Sequence, residues 1–297
     1  GATGLEALAL TTQLLQRARP AHPTAGLWEE ADFQWWWRRP QPADQVEKVF
    51  WLDDDGPVAG ALVTSWGPDS WQYDPVVVPG TPSPTRSAVW DRALALAATV
   101  TNRTLENGQG TASGTGSAPA FEVGVMDGDR EFEDLAGRAG LSPVRHDSTA
   151  WLAAERRPAV IPLPKGFSLV DRTQRLDAPH HMRHRNGAEV AERLAQCSLY
   201  DPTLDIAIET DAGQMAAYSL YWFDPVTKVG LVEPVRVEDA FQRRGLARAM
   251  LSAGLERVAA KGAQRMKVSY SSAPAAALYL GLGFEAESTT TWYSGAK

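Results

Sequence analysis

Residues 233–251 read EPVRVEDAFQRRGLARAML. The alternating run PVRV passes through a short acidic turn to Gln242, Arg243 and Arg244, then Gly245, and an apolar periodicity begins at Leu246. Alternation marks a half-buried strand and i, i+3, i+4 spacing marks a helix. Leu246, Met250, Leu251, Leu255 and Val258 share one face and Gly262 supplies a stop, so the spacing predicts a helix over 246–261. A strand that turns directly into a helix start leaves several backbone N–H groups without partners, with the partial positive charge of the helix end behind them. Such a bend is an anion cradle. Gly245 has no Cβ and lets a ligand approach the backbone, and Ala247 keeps the next turn thin. The alternative is that Arg243, Arg244 and Arg248 form a solvated helix face, as most charge runs do.

Working outward, the same order of elements occurs twice. AGALVTSW followed by YDPVVV in the first half echoes AAYSLYWF followed by VEPVRV in the second, at an offset of about 158 residues. Each copy carries an acid and a proline in its second strand, Asp74-Pro75 and Glu233-Pro234. A helix follows (SAVWDRALALAATV; LARAMLSAGLERVAAKG), then a strand (FEVGVM; MKVSY), then a short helix ending in AGRAGL or YLGLGF. A terminal strand, STAWLAA or STTTWYS, is expected to close each copy. The run 107–120, NGQGTASGTGSAPA, reads as an internal loop. RRPAVIPLPKG reads as a semi-rigid connector, which places the boundary between a domain at 1–157 and one at 158–297. The pattern predicts two α+β domains of one architecture, each a mixed, mostly antiparallel sheet flanked by helices.

A chain of 297 residues with 44% hydrophobic and 22% charged residues has the composition of a globular protein. Its net charge of -7 repels nucleic acid and anionic lipid, so any anionic ligand has to be held locally. No apolar run reaches the roughly 18–20 residues of a membrane helix, and the reading is a cytoplasmic protein, monomeric or homodimeric. The single cysteine, Cys197, has no evident histidine partner in sequence and reads as a small buried hydrophobe.

Gln242-Arg243-Arg244-Gly245-Leu246-Ala247 resembles the acyl-CoA motif of the GNAT superfamily of N-acetyltransferases, Gln/Arg-x-x-Gly-x-Gly/Ala, and the tandem layout is similar to two-domain acetyltransferases of the mycothiol synthase kind. The resemblance implies that the loop amides hold the diphosphate of acetyl-CoA and that Val235 and Val237 lie on a strand edge that pairs with pantetheine. It also implies that Tyr279, four residues before Gly283-Phe284, donates a proton to the departing thiolate. Ser272 stands where the family often has an asparagine, among the cofactor-binding positions. Glu233 reads either as a base, acting directly or through water, or as a surface acid at a strand end. The implied function is an acetyl-CoA-dependent N-acetyltransferase acting on a primary amine of a small molecule by direct attack. The alternatives are a non-catalytic acyl-CoA sensor and a protein or peptide N-acetyltransferase.

His180 and His184 have i, i+4 spacing, which raises a metal reading. No third-ligand pattern lies near, so no metal is expected and the run reads as a solvated polar helix face, with substrate contact second. In the first copy the place of QRRGLA is taken by Ser83-Pro84-Thr85-Arg86-Ser87-Ala88, and Ala136 stands where the second copy has Tyr279. That copy is expected to be degenerate. Trp35 to Trp37, Trp66 and Trp71 read as core and interdomain packing or as the lining of an apolar groove in that copy.

Overall fold

The computed structural model describes all residues except 25, 68–69, 107–119 and 296–297. In chain order the elements are α1 (Gly4–Ala18), α2 (Glu30–Trp36), β1 (Val49–Asp53), β2 (Gly56–Ser65), β3 (Ser70–Val77), α3 (Ser83–Glu106), β4 (Ala120–Met126), α4 (Arg130–Arg138) and β5 (Ser142–Ala153). There follow β6 (Phe167–Asp171), α5 (Arg183–Asn186), α6 (Val190–Ala195), β7 (Asp205–Thr210), β8 (Met215–Phe223), β9 (Val229–Val237), α7 (Leu246–Ala260), β10 (Arg265–Tyr270), α8 (Ala273–Leu280) and β11 (Glu285–Ser294). The expected loop at 107–120 lies outside the described residues apart from Ala120.

Two compact units form, and neither is contiguous in sequence: the first comprises Gly1–Glu30, Pro40–Asp147 and Ser288–Lys297, the second Ala31–Arg39 and Ser148–Glu287. This differs from a single cut between 157 and 158. The strands expected to close each copy are exchanged, because STTTWYS pairs with β4 of the first unit (Thr290↔Met126 to Ser294↔Glu122) while STAWLAA pairs with β10 of the second (Val268↔Ala150). Both terminal strands begin Ser-Thr and carry a tryptophan, and neither segment encodes which sheet it joins, so only the tertiary pairing separates them.

The first unit orders its strands β1-β2-β3-β4-β11, antiparallel except for β3 with β4; the second runs β5-β10-β9-β8-β7-β6, antiparallel except for β10 with β9. Each unit is therefore α+β with a mixed, mostly antiparallel sheet, as the sequence predicts.

In the second unit α7 buries Leu246, Met250, Leu251, Leu255 and Val258 against the sheet, the face that the spacing marks. Its seating is fixed by one close approach. A Cβ on Gly254 would come 1.9 Å from Tyr221 Cζ, and the Tyr221 hydroxyl donates to the Met250 carbonyl at 3.0 Å. The helix lies flush on this aromatic ring of β8. In the first unit α3 covers Ala61, Val63, Trp71 and Tyr73 with Ala93, Leu96, Ala97 and Val100.

Segment Ala31–Arg39 belongs to the second unit because polar bonds tie it there. Gln34 Nε2 donates to Ser198 Oγ at 2.9 Å, the Leu199 N–H donates to Gln34 Oε1 at 2.8 Å, and Trp37 Nε1 donates to Gln196 Oε1 at 2.8 Å. The tryptophan run read as part of the first copy is therefore part of the second unit, with Trp35 and Trp36 buried; Trp71 remains in the core of the first.

Candidate active site

The bend between β9 and α7 ends on two left-handed residues, Arg243 (φ 64) and Gly245 (φ 81), with Gly245 as the N-cap of the helix. No side chain caps the first turn, so the leading amides of α7 point outward with the helix dipole behind them. A Cβ on Gly245 would meet nothing within 4 Å, so glycine is required there by conformation, and the space before it is open. Alternating left- and right-handed residues turn successive N–H groups toward one point, the geometry of an anion nest. Gln242, Arg243 and Arg244 are exposed at its mouth, Gln242 held by Asp239 Oδ1 at 3.0 Å, while Leu246 is buried and Ala247 half-buried.

Beside the nest the sheet opens. β10 pairs with β9 only from Arg265↔Val229 to Lys267↔Leu231, whereas β9 continues to Val237 and β10 to Tyr270. Val235 and Val237 pair with Ser219 and Ala217 of β8 on their other side. Between Val232 and Val235 the strand holds two residues against one on β8, a bulge occupied by Glu233 and Pro234. Proline lacks a ladder donor and is tolerated at such a place, and the bulge re-aims the neighbouring side chain. Trp222 Nε1 and Ser219 Oγ donate to the carbonyls of Glu233 and Pro234 at 2.9 and 2.8 Å, fixing the backbone there.

Glu233 is the electrostatic centre of the opening. Burial and the neighbouring Asp32 carboxylate push its carboxyl up to about 8, while Arg38, Lys267 and a hydrogen bond from Trp35 pull the other way. Arg38 is positioned by Asn186 Oδ1 (2.6 Å from Nε) and the Trp35 carbonyl (3.0 Å from Nη1), with its guanidinium 3.9 Å over the Trp35 ring. Burial, then Arg39, draws it down to about 10. Lys267 is completely buried, its Nζ 4.0 Å from Asp32 Oδ2. Tyr279 on α8 is buried between Tyr270 and Phe284, and burial, reinforced by the charge of Glu233, pushes its phenol up to about 12. It stays protonated at neutral pH and is sensitive to the charge on Glu233.

Of the residues singled out in the sequence, the loop 242–247, Val235, Val237, Glu233 and Tyr279 fall on the bend, the open strand edge and its surroundings. Ser272 is exposed at the N-cap of α8, where its Oγ accepts from the Ala275 N–H at 3.4 Å. Asp32, Trp35, Arg38 and Lys267 were missed. The available signals were charges embedded in apolar runs, DFQWWWR and MKVSY, where a strand or helix position facing inward carries an ionisable group.

The histidine run is not a solvated face. His180 is buried and precedes α5; its Nε2 lies 2.9 Å from Asp205 Oδ2, and His181 Nε2 lies 2.8 Å from Asp205 Oδ1, with only His184 exposed. Tyr200 also donates to Asp205, at 2.8 Å. Although burial opposes it, the hydrogen bonds from His180 and His181 hold the Asp205 carboxyl below the usual range. The three side chains have the donor types of a metal site. The Met182 N–H, however, donates to His180 Nδ1 at 3.2 Å, which leaves Nε2 as the protonated nitrogen, directed at Asp205, and assigns the cluster to hydrogen bonding. Cys197 is buried, its thiol donating to the Gln34 carbonyl at 3.3 Å and pushed up to about 12 by burial, which suits packing and not nucleophilic attack.

Residues 171–284 match the model of the Acetyltransferase (GNAT) family. No curated protein matches the chain significantly. Among solved structures, a GCN5-related N-acetyltransferase from Sphaerobacter thermophilus aligns at TM-score 0.62 and 15% identity over 99% of this chain and 93% of its own. A tandem GNAT protein from the clavulanic acid biosynthesis pathway aligns at TM-score 0.63 and 16% identity over 98% and 94%. A GCN5-related N-acetyltransferase from Kribbella flavida aligns at 0.55 and 14% over 95% and 96%. These likenesses are of fold, over the whole chain. The match to the acetyltransferase family model covers the domain at 171–284, within the second unit.

Proposed function

We propose, with that acyltransferase domain as premise, that the second unit transfers an acetyl group from acetyl-CoA to a primary amine of a small molecule by direct attack. The observation that carries the reading is the uncapped nest at Arg243–Ala247 opening beside the strand edge of Val235 and Val237, with Glu233 in the bulge of the same strand. The donors suit the coenzyme: the amides of Gly245, Leu246 and Ala247 hold its diphosphate, Arg243 and Arg244 add charge at the mouth, and the free edge of β9 bonds the pantetheine amides. When bound, acetyl-CoA supplies an activated thioester carbonyl.

The chain's own residues perform the proton work. An ammonium acceptor has to lose a proton before it attacks, and Glu233, with its carboxyl near 8, takes that proton at its carboxylate, directly or across one water. Arg38, Lys267 and the Trp35 N–H keep the carboxylate accessible at neutral pH against its burial and Asp32. Tyr279 holds its proton at Oη and delivers it to the departing sulfur. The acidic balance of the chain attracts a cationic amine. An acetyl-CoA consumption screen across amines, aminosugars, aminoglycosides, amino acids and peptides tests the reading. Turnover with a small amine is expected; turnover with peptides alone replaces the substrate class, and coenzyme binding without turnover on any amine leaves a sensor.

A further inference from the structure

The first unit keeps the opening of its sheet after losing the nest. β3 pairs with β4 only to Tyr73↔Val123, although β3 runs on to Val77 and β4 to Met126. Between the parted strands lies a cavity of about 490 Å³, lined chiefly by Leu15, Trp28, Val76, Val77, Met126 and Phe132. That volume is in the range of small-molecule sites, which are commonly apolar with a few fixed polar groups. Here those groups are the buried carboxylate of Asp74, which accepts from Trp28 Nε1 at 2.8 Å and Gln72 Nε2 at 3.0 Å, and the strand edges themselves. On the side away from β2 and β11, alternate N–H and C=O groups of Asp74–Val77 and Gly124–Met126 face the gap.

Two of the cations around the cavity are already paired. Arg86 is clamped by Asp129 at 2.8 Å and Glu131 at 2.6 Å with its guanidinium 4.4 Å over Phe132, and Arg19 is paired with the buried Glu29. At the start of α3 Pro82 and Pro84 have no N–H, and the Thr85 and Arg86 amides donate to the Pro82 carbonyl at 2.9 and 3.1 Å. A phosphate placed there finds few amides and meets Asp127 and Asp129, with the exposed Arg130 as the one opposing charge among the described residues that no ion pair holds.

We propose that this cavity is a second binding site, for an uncharged, elongated acyl amide that carries no phosphate. Its hydrocarbon part lies against Leu15, Val77 and Phe132. Its amide bonds the strand edges as an added strand does. The site is independent of coenzyme binding in the second unit.

Isothermal titration of the full chain with N-octanoylglycinamide, and with octyl phosphate as the chain-matched anion, tests this. One amide is expected per chain, with octyl phosphate binding at least about tenfold more weakly. Val77→Trp, which fills the cavity, and Pro79→Trp at its exposed mouth are each expected to weaken the amide about tenfold or more while acetyl-CoA consumption is unchanged. Saturating CoA is expected to leave the amide's stoichiometry intact. The proposal is overturned by absence of amide binding, by octyl phosphate binding as tightly, by displacement of the amide with CoA, or by undiminished binding in a folded Pro79→Trp protein.

Discussion

The starts of α3 and α7 occupy corresponding places, each after a strand that parts from its parallel neighbour, yet they present opposite backbone chemistry. At α7 the N-cap is Gly245 in a left-handed conformation, and the first turn is uncapped. At α3 the residue before the helix is Pro82 and its second residue is Pro84, so donors are missing where α7 offers them. Arg86 lies a turn inside α3, and its charge is consumed by Asp129 and Glu131. The contrast extends to the short helices beyond: Tyr279 on α8 faces the charge of Glu233, while Ala136 on α4 is completely buried. One copy thus has the uncapped bend and a phenol near Glu233, the other only the gap between strands. What distinguishes the two openings in this architecture is a handful of backbone N–H groups and one phenol.

The sharpest test of that contrast is Tyr279→Phe, expected to lower kcat by about 10²- to 10⁴-fold with CoA affinity nearly intact, by steady-state kinetics and calorimetry. Equal turnover in the variant removes the proton-donor distinction between the units. Next, Gly245→Asp is expected to weaken CoA by about 10- to 100-fold through bulk and like charge in the nest. Its mirror, Pro82→Gly with Pro84→Ala, is expected to leave CoA at one per chain, since Asp127 and Asp129 still face the place; a second molecule bound means that amide count alone separates the two helix starts.

A smaller effect concerns the seating of α7. Gly254→Ala drives a methyl into Tyr221 and is expected to destabilise the chain by about 1–3 kcal/mol, measured by denaturant unfolding, with the helix propensity gain of about 1 kcal/mol offsetting part of the strain. The smallest effect is on pH dependence. If Glu233 is the base, as proposed, it acts in its ionised form, so kcat/KM is expected to rise toward a plateau above about 8. Asp32→Asn removes a like charge and moves that rise toward acid, Arg38→Gln removes an opposite charge and moves it toward alkali, each by up to about one unit. Shifts of the same sign in both variants contradict the arrangement around Glu233.

Much of the site was legible because its signals are local. The strand–bend–helix order, Gly245, the proline in the bulge and the spacing of Tyr279 from Gly283 each lie within one short segment. The exchanged terminal strands were not, because nothing local in STAWLAA or STTTWYS encodes the strand it pairs with. The group around Glu233 was hidden for a related reason: Asp32, Trp35 and Arg38 are about 200 residues from it in sequence, and their presence beside it depends on Gln34 and Trp37 bonding to the 196–199 segment.

The sequence by itself determined the duplicated α+β architecture, the helix that begins at Leu246, and the difference in donors between the two helix starts, since backbone conformation and N–H supply are set by residues in immediate succession. Tertiary structure decided which copy each closing strand joins, that a helix from the first half enters the second unit, and that Glu233 is held near neutrality. Those outcomes depend on burial and on charges brought together across the chain, which fix a proton affinity only after folding removes the water between them.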